Sequence, residues 1–275
     1  MNNKLKSDSK LLEQHADEIR RMIITMAYNA KSAHMGGALS CVELLTVLYF
    51  QIMRVNPKKP QDDKRDYLIF SKAHDSKALY AVLAEKGYFD KEILSSYEAN
   101  NGLPGHTTRN VVPGVEASAG SLGHGLSIGV GLAYAKKIDK SKQRVFVMLS
   151  DGECDEGSNW EAMLFAGHQK LKNLIAIVDY NKLQGFGRTD EILTLEPFAE
   201  KWKNFGWGVN EVDGHDIEKI IKSLVNIPFE NNKPSVLIAH TIKGYKGIPK
   251  YVDQVASQYK PPTEEEYKNA MEDLK

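Results

Sequence analysis

Short apolar runs alternate with longer amphipathic stretches through the second half of the chain. Runs of the length and composition typical of strands lie at 145–149, 174–178, 208–212 and 236–239. The stretches 156–170 and 217–225 have the length and polarity of helices. Strands that alternate with helices form a parallel sheet with helices on both faces. The pattern therefore predicts an α/β fold.

The first part of the chain has a more helical pattern. Apolar residues recur every three or four positions from residue 11 to residue 30, which predicts an amphipathic helix ahead of a loop at 32–37. Ser40 and Glu43 have the spacing of a capping box. We therefore expect a second helix to begin there and to run toward Pro57.

The middle of the chain combines short elements with glycine-rich loops. The pattern predicts a strand at 67–70, helices at 76–86 and 90–97, and a loop at 100–106. The glycines of segment 120–131 are expected to open a closely packed helix, and helix N-termini of this kind bind phosphates. Thr263 and Glu266 repeat the capping-box spacing before a terminal helix.

Size and composition narrow the classes of function. The 275 residues, 42% of them hydrophobic, are enough for one large domain, and no repeat or linker divides 1–275. Lysine plus arginine equals aspartate plus glutamate at 36 each, which argues against nucleic acid as a partner. The sequence has only Cys41 and Cys154 and no apolar segment of the roughly 18 residues that a membrane span needs. We therefore expect a cytoplasmic protein without a membrane partner.

Metal-type oxygen ligands follow two neighbouring strands. Asp151 and Gly152 come just after the run at 145–149, and Asn181 follows the run at 174–178. The carboxyl ends of parallel strands meet at one edge of a sheet, where open α/β sheets bind ligands. A carboxylate and an amide oxygen suit Mg²⁺ that keeps phosphate oxygens in its other positions. Asp151 alone could instead cap the following helix, but the pair predicts a metal-bridged diphosphate.

Histidines and lysines in loops are further candidates. His34, His74 and His106 lie in loops or at a strand end, where an imidazole can face a ligand and move a proton. For each of them, an ordinary surface histidine is the alternative. Lys243 and Lys246 follow the last strand and could reach a diphosphate from the same edge, although a solvated lysine loop explains them equally well.

Six motifs, in this order, resemble those of the thiamine-diphosphate-binding N-terminal domain of transketolase. The resemblance extends from about residue 10 to residue 245. The motifs are Ala33-His34-Met35-Gly36-Gly37, Ser71-Lys72-Ala73-His74, Leu103-Pro104-Gly105-His106, Gly120-Ser121-Leu122-Gly123-His124-Gly125, Ser150-Asp151-Gly152-Glu153 with Glu156-Gly157, and Asp179-Tyr180-Asn181-Lys182.

The resemblance implies roles for individual residues. Asp151, Asn181 and the main-chain carbonyl of Leu183 would bind Mg²⁺, which anchors the diphosphate of thiamine diphosphate. His34 and His106 would surround the hydroxyls of the donor sugar and help to move protons. The resemblance places His74 by the cofactor, residues 120–122 along its aminopyrimidine side and Gly152 at its diphosphate. The predicted cofactor-binding set is His74, Gly120, Ser121, Leu122, Gly152, Glu153, Asn181 and Lys243, the last of these proposed from its own position after the last strand. Glu156 would lie at the interface between paired active sites.

The resemblance also implies a function and a partner. The chain would be the N-terminal subunit of a two-component transketolase, which moves a two-carbon ketol unit from a ketose to an aldose. The pyrimidine-binding domain would come from a C-terminal partner subunit in an α₂β₂ heterotetramer. The alternatives are another thiamine-diphosphate carboligase, either deoxyxylulose-phosphate-synthase-like or specialised in sugar modification, and a non-catalytic cofactor-binding module.

The sequence departs from the family pattern in two places that affect the site. Ser121 stands where many members of the family have proline. The family's late histidine has no clear match between Gly247 and Lys260, and Lys243 or Lys246 is the expected substitute for its contact with the diphosphate.

Overall fold

A computed structural model describes the backbone of residues 2–274 and the side chains of residues 9–274. The α-helices are α1 (Asn2–Asn29), α2 (Met35–Ser40), α3 (Val42–Val47), α4 (Ser76–Lys86), α5 (Gly125–Ile138), α6 (Gly157–His168), α7 (Thr189–Ile192), α8 (Phe198–Asn204), α9 (Ile217–Leu224) and α10 (Glu264–Asp273). The strands are β1 (Tyr67–Phe70), β2 (Val145–Ser150), β3 (Leu174–Tyr180), β4 (Gly208–Asp213) and β5 (Ser235–His240). Short 3₁₀ turns occupy Ala73–Asp75, Lys91–Ser96, Gly152–Asp155, Pro249–Tyr251 and Val255–Gln258.

The five strands form one parallel sheet in the order β1-β2-β3-β5-β4. The central strands β2 and β3 pair directly, with Ser150 opposite Asp179 at their carboxyl ends. Asp151 and Asn181 each follow the last residue of one of these strands. The predicted adjacency of the two strand ends is therefore confirmed.

Helices cover both faces of the sheet, as the apolar runs predict. Successive side chains of β2 point to opposite faces, so Phe146 and Met148 join one core while Val147 joins the other. The first core includes apolar residues of α1, α3, α4 and α9, and the second includes those of α5, α6 and α8. Residues 145–149 of β2 and all of β3 are buried between the two layers of helices, which explains the continuous apolar runs at 145–149 and 174–178.

The glycine-rich start of α5 packs closely on the sheet. A Cβ on Gly125 would lie 2.2 Å from Ser71 Oγ, and one on Gly129 would lie 2.3 Å from Val147 Cγ2. Any larger residue at these positions would push α5 away from β1 and β2. The predicted close packing of this helix is confirmed.

The predicted capping box at Ser40 and Glu43 is wrong. Helix α3 begins at Val42, and its N-cap Cys41 makes no side-chain capping bond. Ser40 Oγ instead donates to Asp179 at 2.5 Å, and the Glu43 carboxylate accepts from Arg20. Both side chains are buried against distant elements, which outweighs the local spacing. A π-helical turn, Leu48–Ile52, continues α3, and α2 begins within the predicted loop 32–37.

The capping box at Thr263 is confirmed. Thr263 Oγ1 accepts from the main-chain N–H of Glu266 at 3.3 Å, and the Glu266 carboxylate accepts from the N–H of Thr263 at 2.9 Å. The predicted helix at 90–97 is a 3₁₀ turn, Lys91–Ser96. Within the described part of the chain, no helix is both long and apolar enough to cross a membrane.

The amino edge of the sheet carries a saturated ion cluster. Asp66 is fully buried ahead of β1, and six N–H donors of Arg54 and Arg144 reach its carboxylate at 2.6 to 3.3 Å. Burial opposes ionisation of Asp66, but these hydrogen bonds outweigh it and lower the pKa of the carboxyl below its ordinary value. The cluster holds the starts of β1 and β2 together.

Candidate active site

A cavity of about 360 Å³ lies at the carboxyl edge of the sheet, above β2 and β3. The structure brings ten of the twelve predicted site residues to its wall: His34, His74, Gly120, Leu122, Gly152, Glu153, Asp151, Asn181, Leu183 and Lys243. Ser121 and His106 do not line it. His106 is exposed, and its Cδ2 lies 3.8 Å from the position of a Cβ built on Gly120, which places it near the rim.

The Asp151 carboxylate is buried and depends on backbone donors. Its oxygens accept from the N–H groups of Gly152 at 2.7 Å and Lys182 at 2.5 Å. Burial, together with the negative charge of Asp179, raises the pKa of Asp151 to about 6. A carboxylate in this position would be stabilised by a cation in the cavity.

The carbonyl of Leu183 meets a buried lysine. Lys243 Nζ donates to Leu183 O at 2.9 Å, and the residue is 4% exposed. Burial lowers the pKa of Lys243 below its ordinary value, while the carboxylates of Asp75 and Asp151 oppose the shift. The segment after β5 therefore supplies a positive charge at the wall that Asp151 and Asn181 share.

The donor set fits a hard cation bound together with a phosphate. Asp151, Asn181 and Leu183 offer a carboxylate, an amide oxygen and a main-chain carbonyl oxygen in one cavity. Among the described residues, no cluster of three or more His, Cys, Asp and Glu side chains could hold a metal by itself. A cation here would need further oxygen ligands from a bound molecule, as Mg²⁺ does at phosphate sites. A Cβ on Gly152 would lie 2.9 Å from Gln184 Cγ, so the missing side chain keeps this wall open.

A buried ion pair supports the floor of the cavity. Asp179 of β3 is fully buried and accepts hydrogen bonds from Lys72, Thr241 and Ser40. Burial opposes the charge on Lys72, but the carboxylate of Asp179 outweighs it and raises the pKa of Lys72 well above its ordinary value. Lys72 Nζ also donates to the carbonyl of Gly37 at 3.0 Å. The pair ties the carboxyl ends of β1 and β3 to α2.

Asp75 is a further buried carboxylate at the site, and the sequence motifs do not reveal it. His74 Nε2 and Lys72 Nζ each lie 3.2 Å from its Oδ2, as ion-pair contacts without hydrogen-bond alignment. Burial opposes ionisation, but His74 and Lys72 together hold the pKa of Asp75 well below its ordinary value. A Cβ on Gly37 would lie 2.3 Å from Asp75 Oδ2, so glycine is required for this close packing.

His34 enters the cavity from a left-handed turn. Its φ and ψ are 60° and 37°, and Met35 begins α2 directly after it. Lys77 Nζ donates to the preceding carbonyl, Ala33 O, at 2.7 Å, which fixes the turn. Burial lowers the pKa of His34 to about 4, although Asp75 opposes the shift, so the imidazole is neutral near pH 7.

Glu153 holds the glycine loop. Its carboxylate accepts from the N–H of Gly123 at 3.0 Å, from the N–H of Ser150 at 3.2 Å, and from Ser71 Oγ. Burial raises the pKa of Glu153 above its ordinary value. Although Glu153 lines the cavity, both oxygens have protein donors, so its contribution to the site is to place the loop of Gly120 and Leu122.

The segment 249–260 closes one side of the cavity, and no sequence signal predicts that it does so. Gln258 and Tyr259 line the wall together with Gln184 and Phe186 of the loop after β3. Tyr259 Oη donates to Gly185 O at 2.7 Å. No periodicity or motif marks Gln258 and Tyr259, because a 3₁₀ turn far along the chain from the strand ends brings them to the site.

Comparison with known proteins gives a consistent result. Residues 12–274 match the family model described as transketolase, thiamine diphosphate binding domain. An apulose-4-phosphate transketolase subunit from Phocaeicola vulgatus is 43% identical over 265 residues, which are 96% of this chain and 93% of that protein. The 6-deoxy-6-sulfo-D-fructose transketolase subunit SqwG of a Clostridium species is 40% identical over 264 residues, 96% of each chain.

Solved structures support the same assignment. Transketolase from Leishmania mexicana superposes with a TM-score of 0.90 at 28% identity, covering 96% of this chain and 41% of that one. Transketolase from Campylobacter jejuni superposes with a TM-score of 0.88 at 29% identity, covering 100% and 43%. This chain thus spans about two fifths of those transketolases and nearly the full length of the two subunits. The chain belongs to the transketolase family and corresponds to the thiamine-diphosphate-binding domain of that family.

Proposed function

We propose that this chain is the N-terminal subunit of a two-component transketolase that uses thiamine diphosphate and Mg²⁺. It transfers a two-carbon ketol unit from a ketose donor to an aldose acceptor. The observation that carries the proposal is the convergence of Asp151, Asn181 and the Leu183 carbonyl at two adjacent strand ends. Relatives of nearly equal length are named as transketolase subunits, which supports the assignment.

The metal and the diphosphate would be held at the ends of β2 and β3. Asp151, Asn181 and Leu183 O would bind Mg²⁺, and Gly152 would allow the diphosphate to approach the backbone. Lys243 would neutralise part of the diphosphate charge. His74, Gly120, Ser121 and Leu122 would contact the rest of the cofactor, and Glu153 would hold their loop in place.

The remaining residues would act on the sugar. When bound, thiamine diphosphate supplies the nucleophilic carbon that breaks and remakes the carbon–carbon bond. His34 is neutral near pH 7, so it can accept a proton or a hydrogen bond from a donor hydroxyl. His106 lies near the rim and would reach the more distant part of the sugar. The buried Lys72–Asp179 pair keeps the cavity floor in a fixed geometry.

The same proposal includes a partner subunit. Phe186 and Tyr259 line the cavity, yet they are 85% and 52% exposed, so two aromatic side chains of its wall face solvent. Exposed surfaces of this kind mark sites of association. A C-terminal subunit that carries the pyrimidine-binding domain would cover these side chains, in an α₂β₂ heterotetramer with Glu156 near the interface of paired sites. Residues 1–275 would then form one diphosphate-binding domain of a cytoplasmic enzyme.

Calorimetry and an assay of the reconstituted complex test this function. We expect thiamine diphosphate to bind the chain in a Mg²⁺-dependent way, and the complex to use xylulose 5-phosphate rather than pyruvate as donor. Turnover of pyruvate would favour the other carboligases. Cofactor binding without turnover would favour a non-catalytic module, and the absence of Mg²⁺-dependent binding would refute the proposed site.

A further inference from the structure

The side-chain amide of Gln258 is an unsatisfied polar group at the cavity wall. Gln258 lines the cavity together with His34, and its Oε1 is buried without a hydrogen-bond partner among the described residues. An amide oxygen left in this state costs roughly 1–3 kcal/mol. Unsatisfied groups are rare in folded proteins, so one that borders a cavity requires an explanation.

The backbone, and not this side chain, holds the segment in place. The carbonyl of Gln258 accepts from the N–H of His34 at 2.9 Å. Arg188 donates twice to the Asp253 carboxylate, at 2.8 and 2.6 Å, and Tyr259 Oη is bonded to Gly185 O. The backbone of Gln258 is therefore fixed by its neighbours, whereas no hydrogen bond among the described residues holds its side-chain amide, so the amide can turn toward a ligand in the cavity.

The chemistry of the unsatisfied atom selects the class of ligand. Oε1 needs a proton donor, and the oxygens of an ionised diphosphate have none to offer. A sugar hydroxyl can donate to Oε1, and it can also accept from Nε2 if the amide turns about its terminal torsion. Lys243, which lines the same cavity, donates to Leu183 O and makes no hydrogen bond to Gln258 Oε1.

We propose that Gln258 is a specificity-determining residue whose side-chain amide hydrogen-bonds a hydroxyl of the ketose bound in the cavity. The inference rests on the proposed function, because it takes the ligand to be a keto sugar. A polar group that is unpaired without the sugar discriminates strongly against ligands that lack the matching hydroxyl. The segment after β5, for which the sequence predicts only lysine contacts, thereby gains a neutral contact to the substrate.

The test compares Gln258→Met with Gln254→Met in the complex with the partner subunit. Methionine keeps the length of the side chain and removes the amide, and Gln254 is an exposed residue of the same segment. The KM for xylulose 5-phosphate is expected to rise about tenfold in Gln258→Met, the equivalent of one hydrogen bond. The Kd for thiamine diphosphate with Mg²⁺ is expected to stay within about twofold, and Gln254→Met to match the unmodified chain. Gln258→Asn keeps an amide on a shorter side chain and serves as the control for a packing defect.

An unchanged KM in Gln258→Met would overturn the inference, and so would a weaker Kd for the cofactor with an unchanged KM. Titration of xylulose 5-phosphate without an acceptor separates this result from failure of the proposed function. If the unmodified complex binds the sugar but does not turn it over, transketolase activity is refuted while the Gln258 contact is still measured. If it binds no sugar at all, both are refuted.

Discussion

The two edges of the sheet each bury an aspartate, and they treat it in opposite ways. At the amino edge, Asp66 receives six N–H donors from two arginines, and its pKa is lowered. At the carboxyl edge, Asp151 receives two backbone N–H groups and faces the charge of Asp179, and its pKa is raised to about 6. A buried carboxylate that is surrounded by hydrogen-bond donors stabilises the fold, whereas one with few donors is suited to bind a cation.

The largest expected effect is at the amino edge. Asp66→Asn removes the charge that two guanidinium groups share, so the free energy of unfolding should fall by about 3 kcal/mol. Urea denaturation measures it, and Asp63→Asn, at an exposed neighbour, is the control. The folded variant should keep its affinity for thiamine diphosphate with Mg²⁺. If the free energy of unfolding falls by less than about 1 kcal/mol, Asp66 does not have the structural role proposed for it.

The next effect is at the carboxyl edge and concerns binding. Asp151→Asn should weaken Mg²⁺-dependent binding of thiamine diphosphate by about 100-fold, because an anionic metal ligand is lost. The free energy of unfolding should stay the same or rise, since ionisation of Asp151 is unfavourable in the fold. Calorimetry gives the affinity, and Asp155→Asn in the same turn is the control. If Asp151→Asn and Asp155→Asn bind thiamine diphosphate with equal affinity, Asp151 does not have the cation-binding role that distinguishes the carboxyl edge.

A smaller effect is expected at the lysine that faces Asp151. Lys243→Met should reduce the affinity for thiamine diphosphate about tenfold, because one positive charge near the diphosphate is removed. Lys246→Met, at an exposed position of the same loop, should leave it unchanged. If the Lys246 variant shows the greater loss in calorimetry, the diphosphate contact has been assigned to the wrong lysine.

The smallest effect is expected at Lys77. This buried amine donates hydrogen bonds to neutral oxygens, whereas the arginines at the amino edge donate to a carboxylate. Burial lowers the pKa of Lys77 to about 8, so between pH 8 and its ordinary range the unfolded chain binds more protons than the folded one. The free energy of unfolding should therefore rise with pH in this window by about 1 kcal/mol per pH unit more than in Lys77→Met. Urea titrations of both proteins at several pH values give the difference, and parallel curves would contradict the shift.

The predictable part of the site is the part that the strands carry. Asp151 and Asn181 follow two apolar runs joined by one helix, and a β-α-β unit leaves little choice about where such residues meet. Asp179 and Lys72 are recognisable in the sequence only as members of motifs, because their pairing depends on burial across the sheet. Gln258 lies in a 3₁₀ turn and has no periodic signal at all.

Two stretches with the same local spacing show why such signals can fail. Thr263 is exposed and Glu266 is half-buried, and the two form the expected capping box. Ser40 and Glu43 have the same spacing but are buried, and Asp179, Arg20 and their neighbours satisfy them instead. A capping pattern in sequence is therefore informative only where no tertiary partner competes for the side chains.

The segment at 249–260 bonds to the turn of His34 and to the loop that follows β3. The segment thus connects the wall that is proposed to contact the sugar with the wall that is proposed to bind the metal. Fluctuations of the two walls must then be correlated, and loosening the segment would free both at once. A substitution in this segment should consequently disturb the proposed sugar contacts and the proposed cofactor contacts together.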